Sequence, residues 1–461
     1  MLLPVKNFKV KPYMDFEKLF PGFSSVIPNP QNEYARNSAA ESLPEEKMAR
    51  LIPTPFQCLK GDGQVEISQS TVVRCSRELE IEADYLVATV AKFLGIMLAR
   101  KEGTGNGSHS IVLKTSDLRV NGISQEAYHL EISKENGITI TGSDAAGVFY
   151  GIQSLLGLVR AEDLSHPTPS VKIHSVEIFD APRFRFRGFL LDVSRNFQRK
   201  EAVLKLIDLL AFYKINVLDL RLTDDEGWRI EIKGLPELTR VGGRRGHALD
   251  DTDWLPPSFG SGPFPDAEDN HGTGYYSSED FKEILTYADQ RHVQIVPEIC
   301  FPSHARAAIK SMEARFRNFM GKGDQAAAES FRLIDPHDQS VYHSPQLYND
   351  NVACVALEST YRFYETVVRR IREMYREAGV ELTLLHTGGD EVPQGAWSKS
   401  PMPETLESAL RHPQSPQPPD LFFKQVAGDA CRIQPENRRM GRGRVEQGFS
   451  REHHRKQRVR R

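Results

Sequence analysis

From about Pro182 onward the chain alternates short apolar runs with longer amphipathic segments, and few folds accommodate such an alternation. The apolar runs predict strands at Phe186–Val193, Val217–Leu222, Val293–Cys300 and Val380–Leu385. The amphipathic segments predict helices at Glu201–Tyr213, Ser277–Arg291 and Ser359–Ala378. Repeated strand–helix units with uniformly apolar strands are typical of a parallel sheet covered by helices. We therefore expect an α/β fold of the (β/α) barrel type.

A different pattern precedes these units, between Leu51 and about residue 175. Its short alternating runs predict strands at Val65–Ser68, Ile111–Lys114, Tyr128–Ser133 and Ile138–Thr141. Asn136-Gly137 predicts a hairpin between the last two strands. Helices are predicted near Ala83–Leu98 and from Asp144 to about Val159. Nothing in this region has catalytic spacing, so the sequence predicts a small α+β domain with a structural role.

Polar side chains follow each predicted strand of the barrel-type region. They are Arg195 after the first strand, Asp224 and Asp225 after the second, His304 after the third, and Asp390 and Glu391 after the fourth. In a (β/α) barrel these positions open onto one face, where the active sites of this fold are found. Each residue also has a structural interpretation, as an ion-pair partner, a turn residue or a helix cap. Convergence from four strands favours a catalytic site.

Asp390 and Glu391 are adjacent carboxylates that come directly after Gly388 and Gly389. Two carboxylates confined in one pocket repel each other, so one is expected to stay protonated, as a general acid must be. Paired carboxylates suit glycoside hydrolysis, but neighbouring residues do not match the separations of the usual two-carboxylate schemes. One carboxylate would instead hold a nucleophile that belongs to the substrate, namely an acetamido group.

Composition excludes several other classes of protein. The 461 residues carry a formal net charge of −3, so no bulk electrostatic partner is indicated, although residues 432–461 hold eleven Lys or Arg against three Glu. The five cysteines form no CxxC pair, which argues against a zinc knuckle or a disulfide framework. No apolar run has membrane-spanning length, and the first residues do not form a signal peptide. A single glycosylation sequon occurs at Asn106.

Several motifs resemble family 20 glycoside hydrolases, the β-N-acetylhexosaminidases. They are RGFLLDVSR at 187–195, LTDDEGWR at 222–229, VPEI at 296–299 followed by Pro302 and His304, and HTGGDE at 386–391. GLPELT at 234–239 and SMEARF at 311–316 resemble the chitobiase-like branch. The region 51–160 resembles the α+β domain that precedes the barrel in this family, and PQNEYARN at 30–37 resembles the approach to it. The resemblance covers about residues 28–401.

The resemblance implies a retaining, substrate-assisted hydrolysis of terminal N-acetylglucosamine or N-acetylgalactosamine from chitobiose, chito-oligosaccharides or glycans. Glu391 would be the general acid and then the general base, and Asp390 would orient the acetamido group. Arg195 would bind sugar hydroxyls, while Asp224 and His304 would support the pocket. No metal or organic cofactor is implied. The family works in secretory, lysosomal or extracellular space.

The sequence departs from the family in the strands below the site and after residue 401. Asp219-Leu220-Arg221 replaces a His-x-His motif, Cys300 replaces an aspartate and Ser303 replaces a glycine. A neutral thiol does not substitute for a buried carboxylate, so these changes put the charges behind the pocket in doubt. After Pro401 the chain becomes Pro-rich and then Arg-rich.

These observations predict four regions. Residues 1–50 form a linker or the remnant of an upstream domain, 51–175 an α+β domain, 176–401 a partial barrel of about four βα units, and 402–461 a disordered tail. Our hypothesis at this stage is that the chain is a fragment whose barrel is incomplete, with two exposed sheet edges.

Three alternatives to an active hexosaminidase stay open. The chain could be a catalytically impaired protein that binds amino sugars. A metal hydrolase could use His304, His386, Asp224 and Asp390, although no typical metal-ligand spacing is present. The basic tail hints at nucleic acid, but it is almost free of interleaved aromatics. The expected partner is therefore an amino-sugar substrate, without nucleic acid or a membrane span.

Overall fold

The computed structural model describes residues 51–105, 107–164, 167–249 and 252–401, with Gln31, Tyr34, Ala35 and Ser38. The predicted tail at 402–461, the sequon at Asn106 and nearly all of the predicted linker at 1–50 lie outside these residues. Among the described helices, none combines the length and apolar composition that crossing a membrane requires.

A seven-stranded mixed sheet forms the first part of the fold, in the order β1-β7-β5-β6-β4-β2-β3. Its strands are β1 (Gln57–Ser68), β2 (Val72–Cys75), β3 (Ala99–Glu102), β4 (Ser110–Thr115), β5 (Tyr128–Ser133), β6 (Gly137–Gly142) and β7 (Ser170–Asp180). The accompanying helices are α1 (Glu80–Leu94), α2 (Ala145–Gly157) and α3 (Ala161–Leu164). The predicted boundary between residues 175 and 176 falls inside β7, which pairs with β1 between Ser170 and Phe179 and with β5 between Val176 and Asp180, and therefore belongs to this sheet.

Local sequence signals account for much of this sheet. β5 and β6 form the predicted antiparallel hairpin, and Gly137 begins β6 with a φ of +73°. A Cβ at this position would lie 2.4 Å from the carbonyl oxygen of Gly107, so glycine is required there. Asp144 caps α2 by accepting a hydrogen bond from the Gly147 amide. The hairpin and the helix N-terminus are thus confirmed.

The second part of the fold consists of parallel strands and their helices. Its strands are β8 (Gly188–Asp192), β9 (Val217–Asp224), β10 (Gly227–Trp228) and β11 (Gln294–Ile299). Its helices are α4 (Lys200–Phe212), α5 (Glu237–Arg240), α6 (Ser278–Asp289), α7 (Arg306–Gly321), α8 (Gln325–Glu329) and α9 (Glu358–Glu377). β9 lies between β8 and β11 and pairs with both in parallel, while short β10 pairs antiparallel with β9.

The helix boundaries follow the sequence signals closely. Ser277 and Asp280 form the reciprocal capping box predicted for α6. In α9 the apolar positions at helical spacing are buried against the sheet, and these are Phe363, Val367, Ile371 and Met374. Gly379 follows α9 with a φ of +72°, the left-handed conformation that ends a helix.

The prediction of a buried fourth strand at 380–385 is wrong for most of its length. The backbone joins β11 only from His386, through hydrogen bonds between Ile299 N and His386 O and between His386 N and Pro297 O, at 2.9 and 3.0 Å. Leu384 is 49% exposed. No other described strand lies beyond this segment, so Leu384 lacks a neighbour that would bury it, although Val380, Leu382 and Leu385 are partly buried against the core.

Candidate active site

The ends of β8 and β9 bring Arg195 into a cluster of three carboxylates. Its Nη1 lies 2.8 Å from Asp192 Oδ2, its Nε donates to Glu226 Oε2 at 2.9 Å, and its Nη2 lies 2.8 Å from Asp224 Oδ1. Burial opposes the charged form, but the carboxylates outweigh it and raise the pKa of Arg195. The guanidinium is therefore fixed in position and permanently charged.

His304, which follows β11, is buried and adopts a left-handed backbone conformation with a φ of +53°. Its Nδ1 lies 3.2 Å from Asp225 Oδ2 and 3.3 Å from Asp224 Oδ1. Burial alone would lower the pKa of His304, but hydrogen bonds and charge from the two aspartates raise it to about 10. The side chain is consequently an imidazolium at neutral pH.

Two glycines shape the turn that carries Asp390 and Glu391. Gly388 and Gly389 have φ values of +61° and +90°, and a Cβ on Gly388 would lie 2.8 Å from Cys300 Cα. Glu391 itself has a φ of +55°, a conformation that costs a non-glycine residue on the order of 1–3 kcal/mol. Such strain is concentrated at functional sites, which agrees with a catalytic interpretation of this turn.

The predicted residues that follow the three strands and the bridge at His386 converge around His304. Its Nε2 lies 3.3 Å from Glu391 Oε2 and 3.6 Å from Asp390 Oδ2, while its Nδ1 faces Asp224, which holds Arg195. Neither His304 nor Asp390 caps a helix: the first amide of α7 donates to Asp225 Oδ1 at 3.2 Å, and no described helix begins after Asp390. The structure thus brings Arg195, Asp224, His304, Asp390 and Glu391 into one chain of contacts.

Exposure divides these five residues into two groups. The side chains of Asp224 and His304 are 0% and 2% exposed, so they support other residues rather than face solvent. Asp390 and Glu391 are 53% and 43% exposed. The described residues therefore do not supply the confinement that was expected to keep one of the two carboxyls protonated.

Three further polar residues contact the site from the segment between α8 and α9. Gln346 donates to Glu391 Oε2 at 2.7 Å, Asn351 donates to Asp225 Oδ2 at 2.9 Å, and the Tyr348 hydroxyl lies 3.5 Å from Glu226 Oε1. The sequence analysis missed all three. They lie in an irregular segment with no periodicity, so no local signal marks them.

Carboxylates and histidines in the site form three groups that could hold a metal ion by distance: Asp219, Glu298 and His386; Asp224, Asp225 and His304; and His304, Asp390 and Glu391. The structure does not bring together the four residues suggested for a metal hydrolase, namely His304, His386, Asp224 and Asp390. His386 lies with Asp219 and Glu298 rather than with His304.

A cavity of about 760 Å³ lies outside this cluster. Its walls come from α7, the segment between α8 and α9, and Trp397, and none of the five predicted site residues lines it. The candidate active site is therefore an open surface at the strand ends rather than this cavity.

This combination of parallel strands, a preceding small domain and paired carboxylates at the strand ends is typical of glycoside hydrolases with a barrel-type catalytic domain. Comparison with known families agrees. "Glycosyl hydrolase family 20, catalytic domain" matches residues 184–428, and "Glycosyl hydrolase family 20, domain 2" matches residues 48–181. The chain belongs to glycosyl hydrolase family 20. The match to the catalytic domain extends to residue 428, so the sequence analysis placed the end of the family resemblance too early, near residue 401.

Curated relatives carry consistent names. The chain is 40% identical over 357 residues to a beta-hexosaminidase of Vibrio vulnificus, covering 77% of this chain and 39% of the relative. It is 38% identical over 377 residues to the N,N'-diacetylchitobiase of Vibrio harveyi, covering 81% of this chain and 40% of the relative. The chain thus spans about two fifths of the length of these relatives.

Solved structures confirm the fold. A GH20 exo beta-N-acetylglucosaminidase from Vibrio harveyi, in complex with N-acetylglucosamine, has a TM-score of 0.66 and 30% identity over 83% of this chain and 52% of that one. A Streptomyces plicatus beta-hexosaminidase variant in complex with its product has a TM-score of 0.56 and 29% identity over 75% of this chain and 60% of that one. The catalytic region is accordingly a TIM-barrel-type domain preceded by a small domain.

Proposed function

We propose that this chain carries the catalytic carboxylates of a β-N-acetylhexosaminidase. Such an enzyme removes terminal N-acetylglucosamine or N-acetylgalactosamine from chitobiose, chito-oligosaccharides or glycans. The observation that carries the proposal is the contact chain from Arg195 through Asp224 and His304 to Glu391. The names of the relatives and the sugar complexes of the structural neighbours support the same substrate class.

The reaction proposed for this site uses the substrate's own acetamido oxygen as nucleophile. That oxygen attacks the anomeric carbon while Glu391 protonates the departing glycosidic oxygen. Asp390 holds the acetamido N–H and stabilises the positive charge of the resulting oxazolinium ion. Water then opens this ion, with Glu391 accepting its proton, and the configuration of the sugar is retained.

The supporting residues follow from the same geometry. Arg195 would bind sugar hydroxyls, and its three carboxylate partners hold it rigidly for that purpose. The buried imidazolium of His304 keeps positive charge beside the two catalytic carboxylates and orients them. No step of this scheme requires a metal or an organic cofactor.

We further propose that the residues after β7, from about 181 to 401, supply about the first four βα units of the barrel, after the α+β domain that ends with β7. The support is the order of the parallel segments, β8-β9-β11 followed by the bridge at His386. The open edges also carry exposed apolar side chains, including Phe189, Leu190 and Leu384.

The half-exposed carboxylates favour one second candidate, an amino-sugar-binding protein that turns over poorly. Asp390 and Glu391 are 53% and 43% exposed, whereas glycosidase acids work in confined sites. Such a protein would bind N-acetylglucosamine through the same residues but would release little product.

Hydrolysis of an aryl N-acetyl-β-glucosaminide by the purified chain tests these two candidates. For the hydrolase we expect Glu391→Gln to lower kcat/KM by roughly 10²–10⁴-fold, because a general acid/base is lost, while N-acetylglucosamine still binds. Glu279→Gln, a change at an 84% exposed carboxylate that pairs with Lys282 and contacts none of the site residues named above, serves as the matched control and should have no effect. Sugar binding without turnover in the unmodified chain would contradict the hydrolase and favour the binding protein.

A further inference from the structure

Arg221 lies on β9, three residues before Asp224, at one of the positions where this sequence departs from its family. Its Nε donates to Asp224 Oδ2 at 2.6 Å, and its Nη1 lies 3.2 Å from Glu298 Oε1 on the neighbouring strand β11. The side chain is only 12% exposed, and the side chains of the two carboxylates that it joins are 0% and 1% exposed. Arg221 therefore bridges two buried carboxylates below the candidate active site.

Asp224 is shared between this arginine and the site itself. One oxygen, Oδ2, accepts from Arg221, while the other, Oδ1, lies 2.8 Å from Arg195 Nη2 and 3.3 Å from His304 Nδ1. A carboxylate with charged donors on both oxygens has little freedom to rotate, and charge-assisted bonds are the strong ones. The orientations of Arg195 and His304 consequently depend on how Arg221 holds Asp224.

Cys300 fits this arrangement as a neutral neighbour. Burial raises the pKa of its thiol, and its Sγ donates to Glu298 Oε1 at 3.3 Å, the same oxygen that Arg221 contacts. Asp219 also lies close to Glu298, and burial together with the charge of Glu298 raises the pKa of the Asp219 carboxyl to about 6. A carboxylate at position 300 would instead add a negative charge beside a carboxylate that Arg221 already shares with Asp224. Arg221 and Cys300 therefore meet at the same oxygen of Glu298.

We propose that Arg221 is a positioning residue, which fixes Asp224 and thereby sets the orientation of Arg195 and His304. The neutral thiol of Cys300, which donates to the same Glu298 oxygen as Arg221, is compatible with an arginine at position 221 because it adds no charge there. The effect on turnover rests on the function proposed above. The effect on Arg195 does not, because it concerns only the geometry of the folded chain.

The first measurement uses the Nε–H signal of Arg195 in ¹⁵N NMR spectra of the full chain, assigned with Arg195→Lys. We expect this signal, which reports the bond to Glu226, to shift or broaden in Arg221→Met. The Nε–H signal of Arg229, which donates to the Ser194 carbonyl, should not change. Arg315→Met is the matched control, because Arg315 is 13% exposed and pairs with buried Glu237 away from the strand ends.

The second measurement is hydrolysis by the same variants. A misplaced Arg195 should lower kcat/KM by about 10²-fold in Arg221→Met. Arg221→Lys should recover only part of this loss, because a lysine does not reproduce the fork of an arginine. The double variant Arg221→His/Cys300→Asp should be at least tenfold more active than Arg221→His alone, since a carboxylate at position 300 can pair with the introduced imidazolium.

Each outcome decides something. An unchanged Arg195 signal and unchanged kcat/KM in Arg221→Met would overturn the proposal, and so would an equal effect of Arg315→Met. If Arg221→Met does not fold, the Arg195 signal in Arg221→Lys and the comparison of Arg221→His with the double variant decide instead. A loss of the Arg195 signal in a chain without hydrolase activity would support the positioning role and reject only the proposed function.

Discussion

The seven-stranded sheet and the strand ends of the barrel-type domain both bury many side chains, but of opposite chemistry. The sheet buries residues such as Leu130, Ile140 and Ile178, each 0% exposed. The strand ends bury charged side chains, with Asp224, Glu298 and His304 each at most 2% exposed. Both regions come from strands with similar apolar composition, so the difference arises where the strands of the second region end.

This difference separates stability from chemistry. Burying apolar surface contributes roughly 25 cal/mol per Å², whereas burying a charge costs free energy unless a partner compensates for it. The strand ends meet that cost with linked ion pairs, through Arg195, Arg221 and His304. A region optimised for stability alone would not need these ion pairs. We therefore infer that the strand ends are the functional part of the molecule.

The largest expected effect is the titration of His304. Its pKa is about 10 in the folded chain, above the 6.5 of an unfolded histidine, so its stabilising contribution is full below pH 6.5 and is lost as the pH rises toward 10. The upper bound is about 5 kcal/mol. Urea unfolding at pH 6 and pH 10, compared between the unmodified chain and His304→Gln, measures it. Equal pH dependence in the two proteins would show that His304 is not held as an imidazolium.

Removal of Asp224 should have the next largest effect. Asp224→Ala leaves two arginines and an imidazolium without their shared carboxylate, so the free energy of unfolding should fall by about 3–5 kcal/mol. Chemical denaturation at neutral pH measures this change. A loss below about 1 kcal/mol would mean that the ion-pair network adds no more than a surface pair, and the contrast between the two regions would disappear.

The smallest effect is expected in the seven-stranded sheet. Ile140→Val removes one methylene group from a fully buried position on β6, which should cost about 0.5–1.5 kcal/mol. Hydrolysis measured well below the unfolding temperature should be unchanged, because β6 does not reach the strand ends. A loss of kcat in this variant would show that the sheet influences the site and is not purely structural.

Several parts of the molecule were predictable because their signals are local. The hairpin at Gly137, the capping box of α6 and the buried face of α9 each depend on residues within one or two turns of one another. The ordered motifs also sufficed to identify the family. The convergence of Arg195, Asp224, His304 and Glu391 could be predicted because the ends of parallel strands open onto one face.

Only the tertiary structure decided how the charges are arranged and which apolar residues are covered. Gln346 reaches Glu391 from an irregular segment 45 residues away, and Arg221 joins two carboxylates from neighbouring strands. Leu384 looked like a core residue, yet it is half exposed because pairing with β11 begins only at His386. Helix and turn propensities act between near neighbours along the chain, whereas burial and ion pairing depend on which distant segments pack together, and sequence spacing does not encode that directly.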